Sequence, residues 1–388
     1  MAFSIANRRE PLYGKSLLRE SIICVILQEV VLECKKTRNL TERKIMKYVL
    51  GARDLASANI LNPLIPLLLQ SGHKLYICAE GKALQRFDDA GIVIDFRGTV
   101  NDKTHPFEFD ADGLLEREKP DKVIVGLGSP IYTERLLALA ANRKGIPVVM
   151  LEDFWGSTLV RANDAKPDLL LVVDEYAREL GQIAFPNARM EIIGDAAAVL
   201  PPFTNVPAFS RIRQKFDVIV VFFGGGPDDS EEMTRLLIAS LEKTTDKWCL
   251  IPRFHPKVVD LPSPDGCTYG QVWGDLLSPI ADRVEKPDVR SSEVVVLHSD
   301  IIVSNFSKLL GTAAMAGKVA LSLRTPAGVA IMKKETGYDS VPHVKMGCVQ
   351  EVTAPVDFMS FSSVHPARIA KKIRPYDPEI ALEAIEKL

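Results

Sequence analysis

The sequence predicts an α/β protein with two Rossmann-like, doubly wound parallel-sheet domains that face a central cleft. From residue 44 onward, short apolar segments alternate with longer segments of helical periodicity, which is the pattern of β-α-β units. The apolar segments are continuous, as in Leu-Leu-Leu-Val-Val at 169–173, and continuous runs suit strands buried on both faces of a parallel sheet. A proline-rich segment at 201–207 interrupts this alternation, which then restarts. Two domains in series are therefore expected.

Each half has its own series of predicted elements. In the first half, strands are predicted at 45–50, 74–78, 92–96, 122–125, 147–151 and 169–173, and helices at 60–70, 82–90, 132–143 and from residue 175 onward. In the second half, strands are predicted at 217–223, 248–252, 301–304 and 319–323, and helices at 229–243, 291–298, 308–316, 329–335 and 377–388. Because strands and helices alternate, each sheet is expected to lie between two layers of helices.

These elements divide the chain into five segments. The N-terminal extension contains an apolar stretch at 17–32 that a few charged and polar residues interrupt, which is typical of an amphipathic helix. This helix is expected to pack on the protein or on a second copy in a homodimer; a membrane-surface helix is less favoured, because its polar face is not rich in lysine. We expect a helical extension at 1–43, a first Rossmann-like domain at 44–200, a linker at 201–210, a second Rossmann-like domain at 211–365 and a C-terminal helix at 366–388.

Composition is that of an ordinary globular protein and excludes several classes. Of 388 residues, 47% are hydrophobic and 25% charged, and the formal net charge is −2, so no nucleic-acid partner is expected. No segment has about 18 consecutive uncharged apolar residues, which predicts no transmembrane helix. The N-terminal residues lack the apolar core of a signal peptide, and none of the six cysteines has zinc-like spacing. We therefore expect reduced thiols and a cytoplasmic location.

Polar and small side chains follow several predicted strands. In open parallel sheets, ligands bind at the carboxyl ends of the strands, so we expect these side chains to line the cleft. The candidate residues are Arg53 and Asp54 in the first strand loop, Glu152 and Asp153 after 147–151, Gly224 and Gly225 after 217–223, Arg253 and His255 after 248–252, and Ser304, Asn305, Phe306, Ser307 and Lys308 at the end of 301–304.

The segment at 304–308 is the strongest candidate for binding a phosphate. It connects a predicted buried strand to a helix that is rich in glycine and alanine. Ser307 can cap this helix, the first N–H groups of the helix can bind an anion, and Lys308 can add positive charge. The alternative is that Ser307 only caps the helix and that the small residues only allow close packing.

Two other loops have both a binding and a structural interpretation. Gly224 and Gly225 let the backbone approach a phosphate, or they form only a tight turn before a helix. Their spacing is not that of a dinucleotide-binding fingerprint. Arg253 and His255 leave one strand end between two prolines, so they could bind phosphate or carboxylate oxygens and relay a proton. Alternatively, Arg253 braces its loop.

Carboxylates end two strands of the first half. Asp153, with Glu152 as second choice, is well placed as a general base for an acceptor hydroxyl, although both acids could instead cap a helix. Arg53 and Asp54 could face the ligand or form an internal pair. No HExxH motif or acidic cluster predicts a metal site, so no metal and no separate cofactor are expected.

Taken in order, four motifs resemble the GT-B superfamily, the two-Rossmann-domain glycosyltransferases and the related non-hydrolysing nucleotide-sugar 2-epimerases. The motifs lie at 51–59, 222–226, 251–256 and 299–307. The third is similar to the Pro-Arg-His-Pro element of sialic-acid-like and octulosonic-acid transferases, with Phe254 inserted. The resemblance implies a metal-independent enzyme that binds a nucleotide-sugar, with the diphosphate at 304–308. It departs from the superfamily at Thr312, Ala313 and Ala314, where a glutamate usually binds the nucleotide ribose.

The sequence therefore predicts a glycosyltransferase-like enzyme. It would transfer a sugar from a nucleotide-activated donor to an unknown acceptor, such as a glycan or a glycolipid precursor, and would use Asp153, Glu152 and His255 in catalysis. Two alternatives stay open. One is a nucleotide-sugar 2-epimerase with the same fold, and the other is a non-catalytic binding or scaffold protein, which the departure at 312–314 favours.

Overall fold

Two parallel β-sheets, one in each half of the chain, organise the fold. The computed structural model describes residues 44–98, 109–128, 132–162, 164–224, 227–255 and 258–388, so the predicted helix at 17–32 lies outside the described residues. The strands are Lys47–Ala52 (β1), Lys74–Glu80 (β2), Phe96–Gly98 (β3), Lys122–Gly126 (β4), Val148–Leu151 (β5), Leu169–Val172 (β6), Arg189–Ile192 (β7), Val218–Gly224 (β8), Trp248–Phe254 (β9), Ile301–Ser304 (β10), Val319–Leu323 (β11) and Gln350–Val352 (β12).

Each sheet has the strand order of an open, doubly wound sheet. The first has seven strands in the order β3-β2-β1-β4-β5-β6-β7, and the second has five in the order β12-β11-β10-β8-β9. All neighbouring strands are parallel. In both sheets the order changes direction beside the first strand of the sheet, which is where such folds bind ligands. We call the two halves the first lobe and the second lobe.

Helices connect the strands. In the first lobe, they are Leu55–Leu61, Leu64–Gln70, Lys82–Asp89, Ala111–Glu118, Thr133–Lys144, Ser157–Arg161 and Glu175–Ala184. In the rest of the chain, they are Pro207–Arg213, Pro227–Leu241, Tyr269–Leu277, Ser292–His298, Leu309–Met315, Pro326–Thr336, Pro342–Lys345, Pro366–Ile369 and Pro378–Glu386, with 3₁₀ turns at Ser278–Arg283 and Phe358–Ser360.

The predicted fold class is confirmed, and the structure corrects several elements. The predicted strand at 92–96 is wrong, because the strand there is Phe96–Gly98. The single helix predicted at 60–70 is two helices, since Pro63 precedes the second helix and has no N–H to continue the first. The predicted linker at 201–210 includes the start of the helix Pro207–Arg213.

The lobes share one hydrophobic core. Met150 of β5 and Trp155 belong to the same buried cluster as Ile302 of β10. At the contact between the lobes, Gly156 has a φ of +74°, and a Cβ atom there would lie 2.7 Å from Cα of Thr336. Only glycine fits both this conformation and this close approach.

The C-terminal segment returns to the first lobe. Asp195, just after β7, forms a parallel bridge with Pro375, and the helix Pro378–Glu386 packs Ala381 and Ile385 into a cluster with Leu64 of the first lobe. Within the described ranges, no helix is both long and apolar enough to cross a bilayer. Cys78, Cys249, Cys267 and Cys348 are free thiols.

Candidate functional site

A cavity of about 630 Å³ lies at the carboxyl end of the second sheet. Strands β8, β9 and β10 end at its wall, and Phe154 of the first lobe also lines it. We call it the main cavity. Its size is within the range of about 300–1,000 Å³ that is usual for small-molecule sites. It is lined by Phe154, Phe223, Gly224, Arg253, Phe254, His255, Val258, Arg290, Ser292, Ser304, Asn305, Phe306, Ser307, Lys308 and Leu309.

The charged side chains of the main cavity are all basic. Arg253, Arg290 and Lys308 line it together with an exposed His255, and none of its described lining residues is an aspartate or a glutamate. Lys308 is paired with Asp195, which does not line this cavity, so Arg253 and Arg290 are the cations of the lining that form no ion pair among the described residues; a lining that is basic overall favours an anionic ligand. The structure thus brings together most of the predicted binding residues of the second lobe; Gly225 is not among the described residues.

Arg253 braces the neighbouring loop, as the structural alternative foresaw. Its guanidinium donates hydrogen bonds to the carbonyl oxygens of Val289 at 2.7 Å and Arg290 at 2.8 Å. These bonds fix the backbone that carries Arg290 into the cavity wall. Sequence reasoning missed Arg290, which follows no strand; the one local signal is that it directly precedes Ser291, the N-cap of the helix Ser292–His298.

Hydrogen bonds to β8 and β11 fix the loop from Ser304 to Lys308. The Ser304 hydroxyl donates to the Phe223 main-chain carbonyl at 2.8 Å. The main-chain carbonyl of the buried Asn305 accepts a hydrogen bond from the Ser322 hydroxyl at 2.7 Å. These contacts tie the loop to both neighbouring strands.

The predicted helix start is shifted by one residue. The helix is Leu309–Met315 rather than 308–316, and the Ser307 hydroxyl accepts the Leu309 N–H at 3.2 Å. Over the described ranges, no protein acceptor is bonded to the backbone N–H groups of Phe306, Ser307 and Lys308. Backbone N–H groups need acceptors, so these three donors at the cavity wall are available to an anion.

Lys308 connects the two lobes. Its ammonium group lies 2.7 Å from the Asp195 carboxylate and 6.0 Å from the ring centroid of Phe154. The Lys308 and Asp195 side chains are 19% and 10% exposed, so water screens this ion pair only weakly. Phe306 approaches Phe154 as well, with ring centroids 6.4 Å apart.

Lys308 also lines a second cavity of about 370 Å³, which we call the side cavity. Asn59, Asp153 and Asp195 of the first lobe line it, together with Glu293 of the second lobe. The side cavity therefore has the carboxylates that the main cavity lacks, and Lys308 lines both cavities.

The two predicted catalytic carboxylates of the first lobe have different surroundings. Asp153 lines the side cavity and lies 3.5 Å from Arg161, with its side chain 17% exposed. Burial raises its pKa, and the charges of Lys308 and Arg161 oppose this shift. Because its side chain is partly exposed and lines the side cavity, Asp153 is accessible to a ligand.

Glu152 is fully buried and lines neither cavity. It accepts the Thr158 N–H at 3.1 Å, while its second carboxyl oxygen has no partner within the described part of the chain. Desolvation raises its pKa to about 8, so the carboxyl holds a proton at neutral pH. It therefore supports the loop that carries Asp153 rather than contacting a ligand directly.

Arg53 and Asp54 line neither of the two cavities. The Arg53 guanidinium lies 3.6 Å from Glu80, its backbone N–H donates to Glu134 at 2.8 Å, and Asp54 caps a helix by accepting the Ser57 N–H. Desolvation raises the pKa of the buried Glu134 to about 7. This polar cluster holds the β1 loop in place.

His343 is a buried histidine that the sequence did not distinguish. Its ring meets Trp155 edge-on, with centroids 4.8 Å apart, and a Cβ atom on Gly311 would lie 2.4 Å from it. Desolvation lowers the pKa of His343 to about 4. It is therefore neutral at physiological pH and packs the two lobes together.

Thr312 lies in the stretch, 312–314, where the resemblance led us to expect a ribose-binding glutamate and the sequence has none. It is buried on the helix behind the loop and lines neither cavity. No side chain at 312–314 can therefore bind a ribose in the main cavity in this arrangement.

No protein-family model and no curated protein sequence matches the chain. Solved structures do match. A putative UDP-N-acetylglucosamine 2-epimerase from Listeria monocytogenes is 12% identical, with a TM-score of 0.62 over 89% of this chain and 96% of that chain. The UDP-GlcNAc 2-epimerase from Neisseria meningitidis, bound to UDP-GlcNAc, is 16% identical, with a TM-score of 0.58 over 88% of this chain and 100% of that chain.

The fold is of the GT-B type. A MurG structure from Acinetobacter baumannii agrees with this, at 14% identity and a TM-score of 0.51 over 88% of this chain and 100% of that chain. At such low identity the likeness concerns the fold alone, so the chemistry of this chain has to be argued from its own residues.

Proposed function

We propose that this GT-B protein binds a nucleotide-sugar between its lobes and inverts the configuration at C2 of the sugar, as a nucleotide-sugar 2-epimerase. The observation that carries the proposal is the main cavity, whose charged lining in the described residues is entirely basic and which adjoins the carboxylates of the first lobe at Lys308. The structural neighbours named as 2-epimerases favour this reaction over glycosyl transfer.

The diphosphate would lie against the loop from Phe306 to Lys308. The three N–H groups there, the Lys308 ammonium and the Arg290 guanidinium supply donors and positive charge on one wall. Charge-assisted hydrogen bonds of this kind are about twice as strong as neutral ones. Phe254 and Val258, also on the wall, offer apolar surface to a base.

Inverting C2 requires a proton to leave one face of the sugar and a proton to reach the other face. We infer that Asp153 of the first lobe and His255 of the second carry out these two proton transfers. Asp153 is accessible and has a raised pKa, which makes it a stronger base than an exposed aspartate. His255 lines the main cavity, and an imidazole can accept or donate a proton.

The test is incubation with UDP-GlcNAc in D₂O, followed by proton NMR of the sugar. Epimerisation by proton removal is expected to produce the C2 epimer and to place deuterium at C2. Asp153→Asn and His255→Ala should each abolish formation of the epimer, whereas the exposed Asp164→Asn should not. Absence of exchange and of epimer from the folded wild-type protein would refute the epimerase proposal, and binding without turnover would support the non-catalytic alternative.

The side cavity favours glycosyl transfer as a second candidate. It offers about 370 Å³ beside Lys308, with Asp153 on its wall, so an acceptor hydroxyl could reach a base next to the donor. In that case, UDP release should depend on an added acceptor, and no deuterium should enter C2. UDP release that no acceptor accelerates would count against transfer.

A further inference from the structure

A separate cavity of about 400 Å³ lies where the C-terminal segment joins the first lobe. We call it the junction cavity. The chain at Asp174–Tyr176, which follows β6, forms one side, and Lys345 with the segment from Lys371 to Arg374 forms the other. None of its lining residues lines the main cavity or the side cavity.

Basic side chains dominate the junction cavity. Lys345, Lys371, Lys372 and Arg374 line it. The Lys345 ammonium lies 4.1 Å from the ring centroid of Tyr338, and Lys372 donates a hydrogen bond to the Met346 carbonyl. These contacts fix two of the four cations without neutralising either charge.

The two acidic residues that line the junction cavity, Asp174 and Glu175, already have hydrogen-bond or ion-pair partners. Asp174 accepts the Trp155 indole N–H at 2.8 Å with one oxygen and the Ala177 N–H at 2.9 Å with the other. Glu175 forms an ion pair with Arg178 on its own helix. Both acids are thus committed to local partners, and the four cations leave an excess of positive charge.

Lys371 and Arg374 are the cations left to a ligand. Both are exposed, and among the described residues neither forms an ion pair with a carboxylate. The backbone at Arg374 is nevertheless fixed, because its carbonyl accepts the Asp195 N–H at 2.9 Å. A fixed backbone lowers the conformational entropy that a ligand must remove when it binds.

We propose that the junction cavity binds a small anion that carries a phosphate or diphosphate group. The cavity is large enough for such a ligand, and the cations project from two different segments, so they can contact it from two directions. This site is independent of the proposed function, because it shares no lining residue with the cavities that carry it.

Calorimetric titration with inorganic pyrophosphate tests this proposal. The background is Arg290→Ala, which should weaken any phosphate binding in the main cavity and leave the junction cavity to dominate the signal. Adding Lys371→Ala and Arg374→Ala to this background should reduce pyrophosphate affinity at least tenfold. The matched control adds Lys333→Ala and Lys334→Ala, two exposed lysines of the helix Pro326–Thr336, and should change affinity less than twofold.

Two results would overturn the proposal. One is the absence of pyrophosphate binding by the Arg290→Ala protein at millimolar concentration. The other is equal loss of affinity in the Lys371/Arg374 variant and in the Lys333/Lys334 control, which would indicate a general effect of net charge. Thermal unfolding of each variant without ligand checks that the fold is intact.

Discussion

Replacing Glu152 by glutamine tests whether burial keeps a proton on this carboxyl. Desolvation raises the Glu152 pKa from 4.5 to about 8. Between these two pH values the unfolded chain releases the proton while the native state retains it, so the wild-type protein loses stability as the pH rises. Above about pH 8 the loss is complete. Glutamine does not titrate. The free energy of unfolding of the variant, relative to that of the wild type, should therefore rise progressively across this window.

The size of the stability difference follows from the shift of the Glu152 pKa. Each pH unit between the two pKa values is worth about 1.4 kcal/mol, so the advantage of Glu152→Gln should grow by about 3 kcal/mol between pH 4.5 and pH 7. With an unfolding entropy of about 2.1 cal/mol/K per residue, this corresponds to a rise of about 4 °C in the relative Tm.

The assay is thermal unfolding of both proteins in steps from pH 5 to pH 9. Glu134→Gln is the matched control, because Glu134 is also buried and its pKa is raised only to about 7. The Tm of Glu134→Gln relative to the wild type should stop rising near pH 7, whereas that of Glu152→Gln should continue to rise to about pH 8. A Tm difference between Glu152→Gln and wild type that stays constant over this range would refute the reasoning.

Two further predictions concern the contact between the lobes. Gly156→Ala should destabilise the protein by about 2 kcal/mol more than Gly91→Ala in chemical denaturation. Both glycines have φ near +70°, but only at Gly156 would the new Cβ meet the Thr336 backbone; equal losses would contradict this. Lys308→Met should cost about 2 kcal/mol of stability, because it leaves the Asp195 carboxylate without its cation in a mostly buried position. An unchanged free energy of unfolding would show that the ion pair adds nothing.

The sequence was sufficient to predict most strands of both sheets. Continuous apolar segments such as that of β6 have few other stable arrangements than a sheet buried on both faces. Strands that lack this signal were missed. Arg189–Ile192 is an edge strand with partly exposed side chains, and Gln350–Val352 has three residues, so neither shows a clear apolar pattern.

The candidate site was predicted less completely, because its contacts depend on tertiary structure. The loop from Ser304 to Lys308 follows a recognisable strand and lies at the cavity as expected. Arg290 follows no strand, and the bonds from Arg253 to the carbonyl oxygens of Val289 and Arg290 help to place it at the cavity. Glu152 and Asp153 are neighbours in sequence, yet only the fold shows that one is fully buried and the other accessible.

Titration of UDP and of uridine into the wild-type protein and Arg290→Ala tests the central claim most directly, namely that the main cavity binds the diphosphate of a nucleotide. Wild-type protein should bind UDP at least 100-fold more tightly than uridine, because only UDP reaches the cations and the free N–H groups. Arg290→Ala should weaken UDP binding about 10- to 100-fold, since a hydrogen bond to a charged group is worth about 1.5–3 kcal/mol, and should leave uridine binding unchanged. Equal affinities of the wild-type protein for UDP and uridine, or equal losses for both ligands in the variant, would contradict the account.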